Sequence, residues 1–184
     1  MKIARYLTWM LFFNFCSACF SAEDQAPYSV QVQEQLADLK SRYESSLQAC
    51  LQRLKTDPGD LPARLALADL YRFAGSCDEA LAEYVKVIAL QPDNVQALTG
   101  KGDCYLKLGY YSYRAIQTFE RVRELVEARK MDGFDHAQLY YKLGRAYEAA
   151  EDEKKASEYF QRTLGIDATN AEARAALGRS YYGQ

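Results

Sequence analysis

Residues Leu61 to Asn94 read LPARLALADLYRFAGSCDEALAEYVKVIALQPDN, and the order of apolar residues in this stretch predicts two short helices joined by a tight turn. Ala63, Leu67, Leu70, Tyr71 and Ala74 are spaced to share one face of a first helix, which Asp60 and Pro62 open and Gly75 closes. Ser76 and Glu79 then stand in the S-x-x-E spacing of a capping box, where a hydroxyl and a carboxylate satisfy backbone N–H groups orphaned in the first turn of a helix. Ala80, Tyr84, Val87 and Ile88 form the apolar stripe of a second helix, and Pro92 stops it. Two helices this short cannot bury their apolar faces against each other alone, so the pair predicts neighbours of its own kind.

Those neighbours are in the chain. Pro58 and Pro92, Tyr71 and Tyr105, and Ala68 and Gly102 each stand 34 residues apart. A period of 34 with a small residue, an aromatic, a glycine turn, an alanine, a second aromatic and a closing proline resembles the tetratricopeptide repeat family. The first copy carries it in Leu67, Ala68, Tyr71, Ala80, Tyr84 and Pro92; the second in Leu98, Gly102, Tyr105, Gly109, Ala115 and Phe119. The third has Tyr140, Leu143, Gly144, Tyr147, Ala156 and Phe160, and a half copy holds Leu177, Gly178 and Tyr181. The resemblance divides the chain into repeats at 61–94, 95–136, 137–170 and 171–184, and implies an all-α, right-handed superhelical solenoid of antiparallel helix pairs. Three departures stand out: Arg64 where the family has a large apolar residue, Ala168 where it closes with proline, and an insertion, Lys130 to His136 (KMDGFDH), that either lengthens the preceding helix or forms a loop.

In this family the first helices line a concave groove, with the second, fifth, ninth and twelfth residues of each copy pointing into it. The resemblance therefore implies a partner-binding groove that includes Leu65, Asp69, Arg72, Thr99, Asp103, Leu106, Tyr141, Arg145, Glu148, Arg179 and Tyr182. The ninth places form a ladder Asp69, Asp103, Arg145, Arg179, acidic at one end and basic at the other, which suits an extended peptide of opposite polarity. The alternative is that Asp69 pairs with Arg72 on its own helix and the ladder is a solvated face. Family members that grip a C-terminal carboxylate use Lys and Asn at the fifth, sixth and ninth places; Leu65, Ala66 and Asp69 stand there, so that clamp is not expected.

Residues 1–22 have Lys2 and Arg5, an apolar run from Tyr6 to Phe15 and then small residues, the layout of a secretory signal peptide. The run is short for a membrane span. Cys16-Ser17-Ala18-Cys19 also resembles a bacterial lipobox, so soluble export, a lipid anchor on Cys19 and an uncleaved signal all remain open. The expected location is periplasmic or envelope-associated. Residues 23–60 form an N-terminal segment in which Pro27 to Lys55 reads as one long helix, with Leu36, Leu39, Tyr43, Leu47, Leu51 and Leu54 at helical spacing. Leu47, Cys50 and Pro58 lie 34 before Leu81, Tyr84 and Pro92, which makes this helix an N-terminal cap; the alternative is self-association of its first half.

Removing Lys2 and Arg5 from a chain of 23 basic and 25 acidic residues leaves a mildly acidic protein, which argues against nucleic acid as ligand. Cys77 in a turn and Cys104 on the next copy's first helix are a candidate disulfide, against three separately packed thiols with Cys50. No cysteine and histidine cluster at metal spacing follows the leader, and His136 is alone, so no metal or cofactor is expected. With no phosphate loop and no nucleophile elbow, the expected role is a non-enzymatic protein- or peptide-binding module, an adaptor or assembly factor in a bacterial envelope. The rival role is a structural homo-oligomer assembled through the N-terminal helix. Tyr110, Tyr111 and Tyr113 in the second turn are a second candidate surface, unless one or two of the rings pack down on the adjacent copy.

Overall fold

The structure, a computed structural model, describes residues 28–182, with side chains described over 32–179. The leader at 1–22 and Cys19 lie outside the described residues. The described residues form α1 (Tyr28–Thr56), α2 (Leu61–Ala74), α3 (Cys77–Leu90), α4 (Val95–Leu108), α5 (Ser112–Arg129), α6 (His136–Ala149), α7 (Glu153–Ile166) and α8 (Ala171–Tyr182), with no strand among them. No helix among them is long and apolar enough to cross a membrane.

The chain divides into two compact units within α1, between Glu44 and Ser45. In the first, Asp38 pairs with Arg42 and Lys40 with Glu44 along the helix surface, while Val32 and Leu39 are exposed. The second holds the repeats. There the end of α1 buries Cys50, and Arg53 makes a two-pronged contact with Asp60 at 2.8 and 3.0 Å. Asp60 in turn caps α2 by accepting from the Ala63 N–H at 3.0 Å.

The expected pairs are present: α2 packs with α3, α4 with α5, α6 with α7, and each pair packs on the next. One core cluster gathers Ala68, Cys77, Ala80, Tyr84, Val87, Ala97 and Cys104 where the first pair meets α4. A second, larger one is built on Phe119, Val122, Leu143, Tyr147, Tyr159 and Phe160. The small residues of the repeat explain how closely the helices approach. A Cβ added to Gly102 would lie 2.5 Å from the Phe119 ring, and one added to Gly144 would lie 2.6 Å from the Phe160 ring.

The expected capping box at Ser76 and Glu79 is not formed: Ser76 makes no side-chain cap. Only Gly75 and Ser76 separate α2 from α3, so the Ser76 N–H is spent closing the first helix on the Tyr71 carbonyl at 2.9 Å. Asn94, Asp135 and Asp152 cap α4, α6 and α7 in the ordinary way, each accepting from the third residue on, while Tyr111 ahead of α5 makes no side-chain cap. The fifteenth residue of a copy is left-handed, as Gly75 at φ +90° in the first and as Glu151 at φ +60° in the third, where it is the second residue after the helix.

Of the two alternatives, Lys130 to Asp135 form a loop, since the preceding helix ends at Arg129. The α5 helix runs 18 residues against 14 for α3 and α7, about one turn more, and a loop follows. Lys130, left-handed at φ +46°, closes α5 with the Met131 N–H bonded to the Val126 carbonyl. The loop then returns Met131 and Phe134 to pack on the larger core cluster.

Candidate functional site

Because α4 and α6 each pack on the helix before them and on the preceding first helix, α2, α4 and α6 present successive rows of side chains to one depression. It has a volume of about 500 Å³. Asp69 and Arg72 from α2, Thr99 and Asp103 from α4, and Lys142 from α6 line it. Of the residues implied by the family pattern, those first four therefore stand together.

Their charges are answered within the protein. Tyr84 donates its hydroxyl to Asp69 at 2.5 Å, and Gln96 donates to the other Asp69 oxygen at 2.9 Å. Arg72 sits 3.5 Å from Asp69 and 3.4 Å from Asp103, and donates to the Tyr84 oxygen at 3.1 Å. Lys142 reaches across from α6 to both Asp103 oxygens, at 2.7 and 2.9 Å. The result is one chain of contacts, Asp69, Arg72, Asp103, Lys142, crossing three repeats with two charges of each sign. Burial, and next the Asp69 carboxylate, push the Tyr84 phenol above its ordinary value, so Tyr84 keeps its proton and remains a donor.

The ladder is thus more than the expected Asp69–Arg72 pair on one helix, and its acidic end is neutralised. Arg72 and Lys142 lie between and beside the two aspartates, whereas counting only ninth places leaves both cations out. Farther along, Arg145 pairs with Glu148 at 3.0 Å and donates to the Tyr141 hydroxyl at 3.3 Å, while Arg179 reaches the same Glu148 at 3.1 Å. Leu65, Leu106 and Tyr141 are half-buried against the core clusters, so only part of each faces outward. The side chain of Tyr182 lies outside those described.

Sequence reasoning missed Gln96, Met131, Phe134 and Lys142. Gln96 stands at the second place of its copy, the same rule that named Thr99 and Asp103. Lys142 stands at the sixth place of the third copy, a position weighed only in the first. Met131 and Phe134 come from the insertion, whose return onto the groove no repeat pattern encodes.

In the second candidate surface, Tyr111 packs edge-on to Tyr105 with ring centroids 5.5 Å apart, and Arg114 covers it at 5.1 Å. Tyr110 and Tyr113 are exposed. Cys77 and Cys104 are both buried thiols in hydrogen-bonding contact; burial, and then the neighbouring Cys77, raise the Cys104 thiol above its usual range. Cys50 is buried and free.

Comparison with solved structures places this geometry. A crystal structure of MamA superposes with a TM-score of 0.68 at 24% identity, covering 79% of this chain and 81% of that one. TTC0263, a thermophilic TPR protein of Thermus thermophilus, superposes at 0.59 with 21% identity, over 83% of this chain and 79% of that one. The first TPR of Spaghetti (RPAP3), solved with an HSP90 peptide SRMEEVD, superposes at 0.59 with 20% identity, over 69% of this chain and 94% of that one. No curated protein sequence matches significantly. The tetratricopeptide repeat pattern matches twice, over residues 65–125 and 137–170, in register with the helix pairs just described. By repeat period, helix pairing and sequence pattern, the chain is a member of the tetratricopeptide repeat family.

Proposed function

We propose that this protein is an exported, non-enzymatic adaptor or assembly factor of a bacterial envelope, holding an extended segment of a partner protein in the groove of α2, α4 and α6. The observation that carries the reading is a depression lined by side chains from three successive first helices. Its volume falls in the range of ordinary ligand sites, roughly 300–1,000 Å³. A photo-crosslinking residue in place of Gln96 or Tyr141 should capture the partner, and the same probe in place of Lys86 or Glu127, on the second helices, should not. Capture from the second helices alone would overturn the groove.

The export half of the proposal rests on residues 1–22. Fusing them to a phosphatase active only outside the cytoplasm should give activity, and the mass of the mature chain should report either simple cleavage or a lipid on Cys19. Activity no higher than a leaderless fusion would remove the envelope reading.

One observation favours a structural role beside this one. Val32 and Leu39 in the first unit's part of α1 are 54 and 55% exposed, apolar side chains that face outward there. If α1 self-associates, sedimentation should give a dimer or larger species that Leu39→Glu returns to monomer; a wild-type monomer at high concentration rejects it.

A further inference from the structure

The insertion gives the groove something the repeats do not, an apolar wall. Met131 and Phe134 line the same depression as Asp69, Arg72, Asp103 and Lys142. A second depression of about 510 Å³ adjoins it along Val95 and Met131 and runs past Pro92 to Arg129. The two share Val95 and Met131, so a chain passing from one depression to the other crosses this apolar ridge.

The charges beside the ridge are already committed. The carboxylates of Asp69 and Asp103 are answered by Arg72, Lys142, Tyr84 and Gln96, and in the adjoining depression Asp93 is held by Arg121 at 2.8 Å and by Arg129 at 3.0 Å. An acidic peptide would have to compete for Arg72 and Lys142 with the half-buried aspartates that already hold them. An apolar side chain against Met131 and Phe134 displaces only water.

From this the geometry points to a specific class of ligand for the groove: an extended, uncharged peptide segment anchored by one large apolar residue on Val95, Met131 and Phe134. This rests on the groove reading above and specifies its chemistry. The four-member charge chain then lies alongside the peptide as a neutral wall whose cations and carboxylates are already paired, so it offers no free partner to an acidic or a basic side chain. Met131 suits the role further, because an unbranched thioether adapts to side chains of differing shape.

The test is selection of a random 12-residue displayed peptide library on the full chain, followed by affinity measurement with the synthetic peptides enriched. The expected peptides share a large apolar residue with no acidic neighbour, bind with little dependence on salt, and bind equally as C-terminal acid or amide. Met131→Ser and Phe134→Ser should each weaken binding about tenfold or more, and Phe134→Leu should retain it. Thr99→Arg, which puts a long side chain into the depression, should abolish binding with helicity unchanged. Acid-rich peptides whose binding falls steeply with salt would overturn the proposal. Loss with Thr99→Arg but none with either serine variant would overturn the apolar anchor and leave the groove standing. Indifference to all four variants, or no binder at all, would overturn both.

Discussion

At Gly102 and Gly144 a single hydrogen decides whether two helices can approach. Alanine is the better helix former by about 1 kcal/mol, but its methyl group would enter the Phe119 or Phe160 ring, which are 0 and 2% exposed and have nowhere to move. Overpacking of that kind costs about 1–3 kcal/mol, so Gly102→Ala and Gly144→Ala should each lower stability by about 1 kcal/mol net in urea unfolding. Gly165 in α7 is the control, with no atom within 4 Å of an added Cβ. Gly165→Ala should raise stability by about 0.5–1 kcal/mol. Glu151, left-handed at φ +60° where the first copy has Gly75, carries backbone strain that glycine does not; Glu151→Gly should stabilise by up to about 1 kcal/mol in the same assay. The Tyr84 hydroxyl joins Asp69 and Arg72 beneath the groove. Tyr84→Phe keeps the buried ring and should cost about 1–2 kcal/mol.

Among the elements, α5 is the one that departs from its family, and its extra turn explains how a loop of the insertion reaches the groove. Arg129 lies in that turn and, with Arg121, clamps Asp93 in the turn between α3 and α4. All three side chains are 42 to 51% exposed, so the clamp is screened by water and sets the position of the turn more than its stability. Asp93→Ala should therefore change the unfolding free energy by less than about 1 kcal/mol. A shift well beyond that would mean that the turn is a structural keystone.

Across the molecule, the joint between the second and third repeats carries an acid-sensitive node. Glu120 of α5 accepts from the Tyr159 hydroxyl at 2.6 Å, from the Tyr147 hydroxyl at 3.3 Å and from Arg123 at 2.7 Å, and Tyr147 and Tyr159 stack with centroids 5.4 Å apart. Burial opposes ionisation of Glu120, but the bonds from Tyr159 and Arg123, the Arg123 charge and the Tyr147 bond outweigh it and hold its carboxyl below the ordinary value. A carboxylate depressed in the folded state stabilises it fully above the unfolded value, near 4.3 for Glu, and loses that contribution as pH falls through the folded value. Stability should therefore drop below about pH 4.3, and Glu120→Gln should reduce the slope there while lowering stability at neutral pH. Some slope should persist, because Asp60 and Asp167 are depressed too, Asp60 by its Ala63 N–H contact and Asp167 by Thr169. A variant as acid-sensitive as the parent would show that the joint does not titrate.

The amino-acid sequence by itself determined the family, the period of 34, the helix pairs and the faces they bury. These depend on apolar spacing, on glycine and proline punctuation and on small residues opposite aromatics, all of which are local. It also carried the inward-facing register of Asp69, Arg72, Thr99 and Asp103, since a repeat places equivalent residues alike. Only the tertiary structure decided what those residues do to each other. Lys142 stands 39 residues from Asp103 in the chain and 2.7 Å from it in space, and that contact, with Arg72 between the two aspartates, turns a ladder of opposite charges into a neutral wall. The path of Met131 and Phe134 was likewise hidden, because an insertion follows no period and its apolar residues are placed by the surface available for them to pack on. Ser76 went astray in a related way: the four-residue pattern sets a hydroxyl and a carboxylate at capping distance, but the Ser76 N–H that the Glu79 carboxylate would bond is taken by the Tyr71 carbonyl of the preceding helix.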